Sequence, residues 1–134
     1  MFKNLVMVCA SLMATTAVQA QTLGVQWDWK RADKCSRSSP QIKVSGIPEG
    51  TKLLRVKLVD NDVPTYNHGG GEVPNDGSGV IAEGALKSYN GPCPPNFGSF
   101  GHDYTFTVTA VGEDGKERAV GTGTKNFSAR SVPQ

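Results

Sequence analysis

"NGPCPPNFGSFGHDYTFTVTAV", residues 90–111, sets two kinds of chain side by side. From His102 onward, Tyr104, Phe106, Val108 and Ala110 alternate with Thr105, Thr107 and Thr109. That period of two turns one face to a core and the other to water, which predicts a strand. Ahead of it, three prolines crowd Cys93 and a glycine-rich loop follows, so a stiff segment feeds straight into the strand.

The same alternation recurs on either side. "LLRVKLVD", residues 53–60, points Leu54, Val56 and Leu58 one way and Arg55 and Lys57 the other. Val25, Trp27 and Trp29 alternate with Gln26 and Asp28, which predicts a strand with both tryptophans buried on one face. Ile42 and Val44 repeat the pattern briefly before the turn in "SGIPEGTK", residues 45–52. "GEDGKE", residues 112–117, reads as a hairpin turn returning into strands over 118–121 and 122–127. "SARSVPQ", residues 128–134, reads as a loose polar tail. No window spaces apolar residues by three and four over a helix's length. "IAEGALKSY", residues 81–89, has room for one turn, and Gly84 interrupts it. The expected class is all-β: a single small β-sandwich with short loops.

The first twenty residues stand apart. Met1–Ala20 has a short positive start at Lys3, an apolar run too short to span a bilayer, and small residues at Val18 and Ala20. It reads as a secretory signal rather than a helix of the fold. The domain is then 21–134, or 134 − 20 = 114 residues, enough for one modest core. Without Lys3 the formal charge falls from +2 to 2 − 1 = +1, no footprint for nucleic acid. No further apolar run of membrane length follows, so a soluble protein of the periplasm or exterior is expected. Two cysteines remain, Cys35 and Cys93. In an oxidising compartment an even pair reads as one structural disulfide, since no C-x-x-C suggests redox work.

Chemistry is expected between the strands. "DNDVPTYNHGGG", residues 60–71, places Asp60 and Asp62 around Asn61, then Tyr66 and His68 ahead of three glycines. The opening stretch supplies the other loop, with His102 and Tyr104 at its end. A carboxylate paired with a histidine orients the ring and holds its charge, and prolines stiffen a pocket wall. Each residue also has a plainer reading. Asp60 and Asp62 suit a turn that caps backbone amides. His102 suits a half-buried strand start, and His68 in a glycine-rich loop reads as solvated. No short His or Cys spacing marks a metal site, and no G-x-S-x-G elbow marks a serine nucleophile.

"SSPQIKVSGIPEGTKLLRVKLVDNDVPT", residues 38–65, followed by "YNGPCPPNFGSFGHDYTFTVTAV", residues 89–111, resembles the phosphatidylethanolamine-binding protein family in its bacterial Raf-kinase-inhibitor-like branch. The resemblance covers roughly residues 35–111. It lies in Ser39-Pro40, the Gly46–Lys52 turn, Asp60–Pro64 in place of D-P-D-A-P, Gly91–Pro95 as G-P-C-P-P, and His102–Phe106 as H-x-Y-x-F. It implies a β-sandwich with a small pocket for phosphate-like or carboxylate anions. In that pocket it puts Asp60 and His102, with Asp62 beside them, and a wall formed by the backbone around Pro92. Tyr104 adjoins His102 on its strand, and His68 is the one candidate for the family's further histidine. Asn61 and Val63 depart from the acidic motif, and the segment after His68 is shorter than the family's.

The reading is therefore an exported, non-catalytic protein that binds a small anion or phospholipid headgroup, with no cofactor and no metal. Two other readings stand beside it. One is a protein-interaction module that inhibits a protease or signalling enzyme through its loops. The other is a hydrolase built on Asp60 and His102, for which the sequence offers no nucleophile.

Overall fold

The computed structural model describes residues 21–133 and, before them, Ala14 alone. The expected signal segment, Met1–Ala20, otherwise lies outside the described residues. Among the described residues the chain forms nine strands and one 3-10 turn, Arg31–Asp33. The strands are β1 (Gln21–Thr22), β2 (Gly24–Gln26), β3 (Ile42–Ser45), β4 (Thr51–Asp60), β5 (Gly69–Pro74), β6 (Val80–Ile81), β7 (Ser88–Tyr89), β8 (His102–Gly112) and β9 (Glu117–Phe127). Six form one sheet in the order β1-β9-β8-β4-β5-β7, and three form a second, β2-β3-β6. The pairing is antiparallel throughout except between β1 and β9. The expected all-β class is what the chain builds. No helix among the described residues is long and apolar enough to cross a membrane.

The core lies where the alternation put it. Leu54, Val56 and Leu58 of β4 stand opposite Ala110, Val108 and Phe106 of β8, and all six are buried. Val25, Ile42, Val44 and Ile81 close over them from the small sheet. Trp27 and Trp29 are buried as expected, each 4 % exposed. Trp27 meets Phe106 edge-on at 4.9 Å, and Trp29 meets Phe127 at 5.6 Å, the geometry favoured by ring quadrupoles.

Several local expectations give way. The strand read over Val25–Trp29 ends at Gln26, the last residue to pair with β3, opposite Lys43. The tryptophans follow as a packed, irregular segment. The two strands read over 118–127 are one, β9. Gly123 does not break it; a Cβ there would lie 2.8 Å from the Trp27 ring and 2.7 Å from the Val25 carbonyl, so its bareness lets that segment lie close. Residues 81–89 form no helical turn but run from β6 through a turn at Glu83–Gly84 into β7. The tail is not loose as far as Val132, which is 4 % exposed in the core. Ser131 Oγ fixes its last turn, donating to the Asn126 carbonyl at 3.0 Å and accepting from the Ser128 N–H at 2.9 Å.

Cys35 and Cys93 are bonded, tying the loop before β3 to the proline-rich loop before β8. Backbone bonds flank the bridge: Cys35 N donates to the Pro92 carbonyl at 2.8 Å and Gly91 N to the Ser36 carbonyl at 2.7 Å.

Candidate functional site

Asp60 ends the inward series Leu54–Val56–Leu58–Asp60, so the strand that builds the core carries a carboxylate to its rim. Across the ladder it faces Tyr104, and His102 lies two residues further on the same face of β8. Register alone thus brings Asp60 and His102 to one end of the sandwich.

His68 arrives differently. The β4–β5 pairing sets Lys57 against Gly70; continued regularly, it would put residue 68 opposite Val59, on the outer face. The chain instead takes positive φ at Gly69 (+65°) and Gly70 (+152°), conformations that glycine adopts readily, and His68 turns inward. It is 3 % exposed, not solvated as its loop suggested.

The resulting geometry centres on the Asp60 carboxylate. Its Oδ1 accepts the N–H of Asp62 at 2.9 Å and of Val63 at 3.1 Å, a turn closed by its own side chain. Its Oδ2 accepts His102 Nδ1–H at 2.7 Å, the length of a charge-assisted bond. His68 Nε2 stands 4.0 Å from that same oxygen. Because a carbonyl can only accept, the 2.8 Å contact between His68 Nδ1 and the Asn90 carbonyl fixes the proton on Nδ1. Both rings therefore spend Nδ1–H on the protein and leave Nε2 uncommitted. Burial pushes the Asp60 pKa up, but the bond from His102 and the two backbone N–H groups outweigh it, so the carboxyl sits below its ordinary value.

Asp60, Val63, Tyr66, His68, Cys93, Pro95 and His102 line a cleft of about 220 Å³. Tyr66 packs on the His68 ring at 4.6 Å between centroids. Tyr104 is fully buried beneath, its ring perpendicular to His68 at 5.4 Å. The Tyr104 hydroxyl lies by Asp60 and the Cys93 backbone, yet no hydrogen bond reaches it; burial and then the Asp60 charge push its pKa far up. Pro92 does not line the cleft: it is buried behind it, its carbonyl held by Cys35, and Cys93 and Pro95 form the wall instead. Asp62 also stands off, accepting the Asp103 N–H at 2.9 Å and so joining the two loops. Asp60, Asp62 and His102 offer atoms within 4.8 Å of one another, the one such cluster among the described residues. Asp60 Oδ2, His102 Nδ1 and Asp62 Oδ2 all take part in the bonds just described.

A larger cleft, about 480 Å³, opens between Val25–Lys30 and Gly123–Lys125. Its charged residues are mostly surface pairs, Lys30 with Glu83 at 3.0 Å and Lys125 with Asp28 at 2.9 Å. Size favours it, but convergent buried polar groups favour the smaller cleft, and these are what recognise a ligand. Tyr66 and Val63 had no signal as site residues beyond their place in the Asp60 loop; only the fold shows that they form its rim.

No protein-family profile matches the sequence, and no curated protein matches it by sequence. Among solved structures it is similar to one from Chlamydia trachomatis described as a phosphatidylethanolamine-binding protein homologue, at 22 % identity and TM-score 0.55. The match covers 81 % of this chain and 94 % of that one. The chain thus has a phosphatidylethanolamine-binding-protein-like fold, as the motifs implied.

Proposed function

We propose that the chain is an exported, non-catalytic binding protein whose cleft takes a phosphate-like anion or lipid headgroup. The observation that carries this reading is the pair of cleft-lining histidines around Asp60, each with Nδ1–H committed to the protein and Nε2 uncommitted. Protonated at Nε2, they would offer two N–H donors to one anion while Asp60 balances their charge. The fold shared with the Chlamydia structure favours the same class of ligand. Export fits the N-terminal segment and the Cys35–Cys93 bridge. The hydrolase reading lacks a nucleophile: the sulfur of Cys93, on the cleft wall, is bridged rather than a free thiol.

Calorimetric titration of phosphate and phosphoethanolamine into wild type and His102→Ala tests the reading. His102→Ala should lose most of the affinity. Equal affinities in the two proteins would overturn the assignment.

A further inference from the structure

Phe100 is the most exposed large apolar side chain among the described residues, at 77 %. Tyr66 and Val63, on the cleft's rim, are also exposed. The loop that carries Phe100 starts at Pro95 and ends at His102, both of which line the cleft. The apolar points therefore gather at the end of the sandwich where the cleft opens.

The loop is built to hold that ring out. Phe97 turns inward and packs on Phe127 at 5.0 Å, the rings tilted by 39°, and its carbonyl takes the Ala129 N–H at 2.7 Å. The root is thus fixed in the core while the tip projects. Cations sit on the rings: Arg130 lies 5.5 Å from the Phe100 centroid, and Lys34 and Arg31 lie 4.8 and 5.7 Å from that of Phe97. Asp62, between β4 and β5, and Asp103, at the start of β8, oppose them, though each carboxylate accepts a donor from the chain, at 2.9 and 2.8 Å.

We propose that this end of the molecule docks on the surface of an anionic phospholipid bilayer. Phe100 enters the headgroup layer and the cations over the rings meet lipid phosphates. An aromatic ring carrying a cation at its side suits that boundary, where one end of a contact is apolar and the other wet. A protein partner needs a broad complementary face, roughly 800 Å² a side, whereas only a few ring-sized points project here. The cleft's part in this, meeting a headgroup still in its membrane, rests on the function proposed above. The docking itself does not.

Co-sedimentation with vesicles tests it, using the chain from Gln21 onward, within which the core from Leu23 to Val132 is complete. Vesicles of phosphatidylcholine alone are compared with vesicles containing phosphatidylglycerol. Binding should appear with phosphatidylglycerol and weaken with salt. Phe100→Ser and Arg130→Glu should each lower partitioning about tenfold. Both should leave phosphoethanolamine titration of the cleft unchanged. Absence of binding to anionic vesicles, or binding by both variants equal to that of wild type, overturns the proposal. So does lipid-free self-association that Phe100→Ser abolishes, which would give the surface to a second copy of the chain. Vesicle binding that persists while phosphoethanolamine fails to bind upholds the docking and sinks the headgroup reading of the cleft alone.

Discussion

Replacing both Cys35 and Cys93 with serine removes the one covalent link between the loop before β3 and the cleft wall. The residues are 58 apart, so the bridge closes a loop of 58 + 1 = 59 residues. The loop-entropy relation gives about 4 kcal/mol for a ring of that size. A domain of some 110 residues unfolds with an entropy that makes 1 kcal/mol worth roughly 4 °C, so the melting temperature should fall by about 15 °C. The two flanking backbone bonds cannot replace the bridge, because they form only in the folded state and do nothing to restrict the unfolded chain. Thermal unfolding by circular dichroism, oxidised against reduced and against the double variant, measures the drop. Reduced wild type and the double variant should agree. A fall below about 4 °C would show instead that the unfolded chain gains little freedom from losing the bridge. Because Cys93 lines the cleft, the variant should also bind phosphate less tightly while it is still folded.

Two further changes probe how the site is positioned. Gly70→Ala should destabilise by more than about 1 kcal/mol in urea, since a Cβ there meets the Val56 carbonyl and φ is +152°; a neutral result would mean that β5 shifts freely. Asp60→Asn should cost on the order of 1–3 kcal/mol at pH 7. The Asp60 pKa is depressed in the fold, so its contribution is present above the ordinary value, about 3.9, and is lost as pH falls through the lower folded value. The gap between wild type and variant should therefore narrow below about pH 4 in urea unfolding; a gap unchanged at pH 3 would show that the charge of Asp60 is not what stabilises.

What the sequence revealed and concealed follows from regularity. Asp60 and His102 were legible because each extends an alternating series, and antiparallel register then aligns the ends. The Cys35–Cys93 bridge was legible because only two cysteines remain once Met1–Ala20 is set aside. His68 was not, because the turn that buries it depends on positive φ at Gly69 and Gly70, which breaks the alternation from which inward and outward are read. The same glycines hid β5, whose first residues offer no side chains to form a pattern. The tryptophans were placed correctly as buried but wrongly as strand: burial follows from the apolar period, whereas a strand also needs ladder pairing, and the ladder with β3 stops at Gln26 opposite Lys43. Val132 escaped notice as a single apolar residue in a polar tail. Pro92 was read as rim because its neighbours are, yet its carbonyl is committed to Cys35 and the ring lies buried.

The proposed function has two histidine Nε2 atoms around Asp60 hold an anion. A crystal structure of the protein with phosphoethanolamine tests it most directly. The phosphate should lie in the cleft between His68 and His102, with oxygens about 2.7–2.9 Å from both Nε2 atoms and the Asp60–His102 bond intact. Phosphate seated instead among Lys30, Lys43 and Lys125 in the larger cleft, with the Asp60 cleft holding only solvent, would contradict it.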